Sequence, residues 1–156
     1  MSFDWQVESG LRTSVFVSAT TADLGECRRR VSDILMQAGI FPVVQDYFGP
    51  DPREIDGLLL DKILAADAVV CLVGHAFGTA AANRDDPIPR SYTQIEYDFA
   101  SRYEKPLYVF VATDEYARAH PVDQEETLRA NQEAHRKAIL TGRRKYKQFS
   151  SSVELS

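Results

Sequence analysis

The chain has 156 residues, 44% of them hydrophobic and 26% charged, with a net charge of −5 and a pI near 5.2. That length and composition fit one globular domain with a real core, the acidic balance speaks against nonspecific nucleic-acid binding, and no apolar run is long enough to span a bilayer. The polar, acidic opening "MSFDWQVESG" carries no signal-peptide pattern, so the expectation is a cytoplasmic protein with no nucleic-acid or membrane partner.

Residues 1–12 lack periodicity and read as a leader, with the domain proper expected over 13–150. "TSVFVS" is β-rich and apolar, a buried strand. Leu24, Cys27, Val31, Ile34, Leu35 and Ala38 then share one helical face, with Thr20, Thr21 and Asp23 as capping candidates and a stop at Gly39. "FPVVQ" is a short strand in which Pro42 suits the start better than the middle. In "DPREIDGLLLDKILAAD", Asp51 is the cap, Pro52 takes the first helical position, and Ile55, Leu58, Leu59 and Ile63 form the apolar face.

"AVVCLVG" is the most hydrophobic run and reads as a central strand, followed by the long loop "HAFGTAAANRDDPIPR". Cys27 and Cys71 fit buried, reduced thiols better than a disulfide or a metal site. A helix opens at Ser91, which forms a capping-box pattern with Gln94. "PLYVFVA" is a fourth buried strand, and a polar helix is expected within Gln124–Leu140, ending at Gly142. "GRRKYK" reads as a solvated stretch complementing that helix's negative end. "KYKQFSS" reads as a fifth, edge strand. The 151–156 tail "SSVELS" is expected to begin a following segment, as if the chain were the front part of something longer.

Alternating buried-type strands and helices predict an α/β fold: a flavodoxin-like three-layer sandwich around a five-stranded parallel sheet of order 2-1-3-4-5. Ligands in such a sheet sit beyond the carboxyl ends of the strands, near the switch point between strands one and three. "ATTAD", "QDYFG" and "GHAFG" converge there, although none is a phosphate-binding loop pattern. One acid is out of place. At 100° per residue, Tyr92, Ile95, Phe99, Ala100 and Tyr103 fall in one arc, and Glu96 is the only charged residue within it. Either Glu96 is functional, or it is a rim acid paired with an arginine such as Arg90 or Arg12. His75 reads as a loop histidine, and His120 and His135 have no metal-like partners, so no metal is expected.

"VFVSATTADLGECR", "FPVVQDYF", "ADAVVCLVGHAFG" and "SYTQIEYDFA", in that order, resemble a TIR-like family found N-terminal to NACHT-ATPase and repeat-containing signalling proteins. The likeness covers about Thr13 to Ala112. It implies the same five-stranded, TIR-type flavodoxin-like fold, and that Glu96 matches the glutamate which, in enzymatic TIR domains, acts on the ribose of NAD. The sequence departs from the pattern twice. Gln94 and Ile95 stand where an aromatic-cysteine pair often precedes that glutamate, and "AFG" (Ala76 to Gly78) replaces the usual "RYG".

The resemblance thus implies an effector domain cleaving the nicotinamide–ribose bond of NAD, activated by homo-oligomeric self-assembly in a defence or signalling protein with further C-terminal domains. NAD would be substrate, with no cofactor. The leaving group is already cationic, so one ionised carboxylate suffices where an O-glycoside needs two carboxyls. Glu96 is the expected catalytic residue, with Ser18, Thr20, Tyr47, Phe77 and Tyr92 as substrate contacts. Two alternatives stand beside it: a non-catalytic TIR-like self-association module, and a nucleoside deoxyribosyltransferase-like enzyme, which also uses a glutamate on the anomeric carbon.

Overall fold

Five strands and the helices between them follow the alternation expected from the sequence. The structure is a computed structural model that describes residues 13–44, 52–81 and 88–156. In chain order the elements are β1 (Ser14–Ser18), α1 (Thr21–Gln37), β2 (Phe41–Val44), α2 (Pro52–Ala65), β3 (Ala68–Val73) and α3 (Tyr92–Arg102). There follow β4 (Leu107–Ala112), α4 (Asp114–Ala119), α5 (Glu126–Thr141), β5 (Lys147–Phe149) and a 3₁₀ turn, Ser152–Leu155. The sheet is parallel throughout, in the order β2-β1-β3-β4-β5. This is the flavodoxin-like three-layer arrangement.

Strand pleating divides the core in two. Phe16, Cys71 and Val111 face α2, α3 and α5, where Leu59, Ile63, Ala100 and Ile139 meet them. Val15, Val17 and Leu72 face the other way, against Leu24, Cys27 and Val31 of α1 and Tyr116 of α4. Both cysteines are free and buried within these layers. Pro42 sits inside β2 rather than at its start, and is tolerated because β2 is an edge strand paired only with β1.

Some expectations need correction. Among the described residues of the expected α2 face, Leu59 and Ile63 are fully buried, each contributing about 1.5–3 kcal/mol. Leu58 is 42% exposed, because a two-turn contact stripe is narrower than the apolar arc. Tyr103 is 46% exposed because it caps α3 where the helix leaves the sheet. The short α4 was not expected; Thr113 caps it through a hydrogen bond from Tyr116 N, and Tyr116 Oη donates to Asp23 O at 2.6 Å. Ser152–Leu155 form the 3₁₀ turn, with Leu155 against the α1-side core, which does not bear on the following segment expected from the sequence. Arg144 of "GRRKYK" reaches Ser101 Oγ at 3.3 Å instead of facing only solvent. The 1–12 leader, Arg12, Tyr47, the Asp51 cap and the Ile55 side chain lie outside the described residues. Among the described residues, no helix is long and apolar enough to cross a membrane.

Candidate functional site

The phase of α3 is set at its first turn. Ser91 Oγ accepts from Gln94 N and Gln94 Oε1 accepts from Ser91 N, both at 3.2 Å, which completes the capping box. Gln94 Nε2 also donates to Gln132 Oε1 (3.1 Å), and Gln132 Nε2 donates to Gly74 O (2.8 Å). Two buried amides therefore lock α3, α5 and the end of β3 together. This fixes Glu96, two residues on, over the carboxyl end of β1.

Glu96 is 2% exposed. Its partner is the Ser18 hydroxyl, which donates to Oε1. Pleating explains the meeting, because Ser18 shares with Phe16 the sheet face that α3 covers. Arg90 pairs with Asp98 instead, so it is not the counter-ion of Glu96. Burial pushes the Glu96 carboxyl up to about 8, against the opposing pull of the Ser18 hydrogen bond and the Arg28 charge. Cys71 is the register partner of Ser18, and burial, reinforced by the neighbouring Glu96 carboxylate, pushes its thiol up as well.

The loop after β3 is organised from two sides. Asp23 Oδ2 accepts from His75 N (2.9 Å) and Ala76 N (3.1 Å). Burial raises the Asp23 carboxyl, while those two backbone hydrogen bonds oppose the rise. Gln124 spans the other side, accepting from Phe77 N (3.0 Å) and donating to His75 O (2.9 Å). His75 Nε2 faces Thr113 O at 3.0 Å, so the imidazole is a loop tie. Both glycines of "GHAFG" have a steric reason. A Cβ on Gly74 would lie 2.4 Å from Asp23 Oδ2; Gly78 has φ +83°, and its Cβ would lie 2.8 Å from Thr20 Cγ2.

A cavity of about 360 Å³ opens where these pieces meet, and Glu96, Tyr92 and Thr93 of α3 form one wall. Thr20, Thr21 and Arg28 line a second side, and Gly78, Thr79, Asp123 and Gln124 line the rest. Of the expected site residues, Glu96, Thr20 and Tyr92 thus come together. Ser18 reaches the cavity only through Glu96. Phe77 does not contribute, since its ring is wholly buried and turned away from the lining.

A family model described as a domain of unknown function (DUF4062) matches residues 14–156. The chain belongs to the DUF4062 family. A comparison with curated proteins finds no match. The DUF4062 match takes in every element from β1 to the 3₁₀ turn, and with them the whole described cavity. Among the described residues of this DUF4062 domain, no group of three or more His, Cys, Asp or Glu could hold a metal ion.

Sequence reasoning missed Thr93, Arg28 and Gln124. Thr93 was legible, because it lies one turn before Glu96 on the same face of α3. Arg28 sits in "CRRR", where spacing alone does not say which arginine turns to the cavity. Chemically, the described lining of the DUF4062 cavity offers one carboxyl held out of water, the exposed Asp123 carboxylate, one guanidinium, and a set of threonine hydroxyls.

Proposed function

We propose that this DUF4062 domain is a TIR-like effector that cleaves the nicotinamide–ribose bond of NAD, with Glu96 as the carboxyl at the anomeric carbon. One observation carries the reading: a carboxyl 2% exposed, with a hydroxyl as its hydrogen-bond partner, lines a cavity at the carboxyl ends of β1 and β3. An acid of this kind suits a cationic guest. As the C1′–N bond breaks, its electron pair goes to the nicotinamide nitrogen and positive charge spreads over the ribose ring. The ionised carboxylate attracts that charge strongly, because little water screens it. Water then adds at C1′ and releases a proton, leaving ADP-ribose and neutral nicotinamide.

The raised carboxyl is compatible with this chemistry. A bound cation favours the ionised form of Glu96, so the substrate itself helps to deprotonate it. At about 360 Å³ the cavity lies at the small end of ligand pockets, which span about 300–1,000 Å³. It suits the nicotinamide-ribosyl half and leaves the adenylate outside. The same proposal places the domain in a cytoplasmic defence or signalling protein, with assembly raising its activity.

The raised carboxyl also favours a second reading, base exchange on deoxynucleosides that departs from the nucleoside deoxyribosyltransferase pattern in using Glu96 as proton donor to the base and not at the anomeric carbon. A carboxyl that stays protonated to about pH 8 can hand a proton to a departing neutral base. The deciding experiment follows nicotinamide release from NAD at low and high protein concentration, beside Glu96→Gln. Release that grows with concentration and is lost in the variant is the expected result. An active preparation in which Glu96→Gln releases nicotinamide at the wild-type rate would overturn the role of Glu96. Base exchange with deoxynucleosides, without NAD cleavage, would move the assignment to the second reading.

A further inference from the structure

Most polar side chains around the cavity are already spent within the protein. Ser18 holds Glu96 Oε1, and the Thr20 and Thr93 hydroxyls meet at 3.3 Å, with Ser91 Oγ 3.1 Å from Thr93 Oγ1. Gln124 uses both ends of its amide on the loop after β3, and Arg28 and Tyr92 have interactions of their own. Asp123 differs. It lines the same cavity and is exposed, and among the described residues no hydrogen bond or ion pair is tied to its carboxylate. Its place is nevertheless fixed from both sides. One residue before it, Val122 O accepts from Arg129 Nη2 at 3.0 Å; one residue after it, the Gln124 side chain grips the backbone of His75 and Phe77. The segment is thus tied to α5 and to the loop after β3, with the free carboxylate between the two anchors.

The two acids of the lining suit different parts of one guest. Glu96, held out of water, meets positive charge strongly. Asp123 is screened by solvent and gains little from a diffuse charge, and a pyridinium nitrogen joined to a sugar has no hydrogen to give it. A carboxylate accepts hydrogen bonds and donates none. Its two oxygens can take both hydrogens of a vicinal cis-diol as short, charge-assisted bonds. A ribose carries that diol at C2′ and C3′, starting one bond from the anomeric carbon. A 2′-deoxyribose offers only one of the two donors. We infer that Asp123 is a specificity-determining residue that accepts from the ribose 2′- and 3′-hydroxyls, so that the cavity takes ribosides in preference to 2′-deoxyribosides. This rests on the reading that sets a ribose in the cavity with Glu96 at its anomeric carbon.

The test uses two probes that cannot be cleaved, benzamide riboside and its 2′-deoxy counterpart, in which a carbon–carbon bond joins ring and sugar. Both are titrated calorimetrically into the wild-type protein, Asp123→Ala and Asp123→Asn. Loss of one charge-assisted hydrogen bond should leave the deoxy probe about 10- to 100-fold weaker in the wild type. Asp123→Ala should erase the preference, and Asp123→Asn, which keeps one acceptor oxygen without the charge, should retain part of it. Circular dichroism checks that each variant is folded, and the asparagine variant carries the test where the alanine variant is not. Equal binding of the two probes to the wild type, no binding of the riboside, or a full preference that survives in folded Asp123→Ala or Asp123→Asn would each overturn the inference.

Turnover separates this inference from the proposed function. An Asp123-dependent preference for the riboside, without nicotinamide release from NAD at any protein concentration, would remove the NAD-cleaving reading and leave the ribose site standing. Glu96-dependent release from NAD, with a KM unmoved by Asp123→Ala, would do the opposite.

Discussion

Replacing Glu96 by glutamine should stabilise the domain, and by an amount that depends on pH. An unfolded glutamate titrates near 4.5, whereas burial holds the folded one up to about 8. Between those values the folded chain keeps a proton that the unfolded chain has released. Raising the pH through this window therefore favours unfolding by about 1.4 kcal/mol per pH unit. The stability present below about pH 4.5 is progressively lost, by about 5 kcal/mol in all, by the time pH reaches about 8. Glutamine has the same shape, keeps an oxygen to accept from Ser18, and does not titrate. Glu96→Gln should match the wild type near pH 4.5 and exceed it by about 3 kcal/mol at pH 7. For a chain of this size that is a rise in Tm of about 6–12 °C. Thermal or urea unfolding of both proteins at pH 5, 7 and 8.5 measures it. If the advantage of Glu96→Gln is the same at all three, the carboxyl is not neutral in the folded protein and the argument from burial is wrong.

Other consequences are open to measurement. The kcat/KM for nicotinamide release should climb with pH and level off above about 8, as an ionised Glu96 requires. Ser18→Ala removes a hydrogen bond that lowers the Glu96 carboxyl, so the rising limb should move to higher pH and activity at pH 7 should fall several-fold. Gly74→Ala sets a methyl 2.4 Å from Asp23 Oδ2 and 3.0 Å from Leu24 Cδ1, and urea unfolding should show a loss of about 1–3 kcal/mol.

What could be read without the structure, and what could not, follows the range of the interaction. The strands and the longer helices were legible because their period repeats over many residues. The six-residue α4 is too short to show one. Glu96 was legible because helical phase is local: a carboxylate inside an apolar arc stays inside it whatever the tertiary arrangement. Phe77 misled for the opposite reason. A phenylalanine in a loop between two glycines looks like an exposed aromatic, but Asp23 and Gln124 grip the backbone beside it from segments more than 45 residues away and turn it inward. Arg28 was invisible on similar grounds, since its place at the cavity depends on how α1 lies against the sheet.

The Glu96 neighbourhood argues against a purely structural acid. A buried carboxyl kept for packing is normally offset by an ion pair or by several backbone N–H donors. Here the Ser18 hydroxyl holds Oε1, the Arg28 charge lowers the carboxyl only against a larger effect of burial, and Arg90 is engaged by Asp98. Asp23, by contrast, has two backbone N–H donors and a clear task in shaping the loop after β3. Of the two buried acids among the described residues, only Glu96 lines the cavity. The direction of its pH dependence then separates the two chemistries. An ionised carboxylate facing a cationic sugar gains activity as pH rises toward about 8, whereas a neutral acid protonating a leaving base loses activity across the same range. One pH–rate profile on an active preparation distinguishes them, because the two limbs slope in opposite directions.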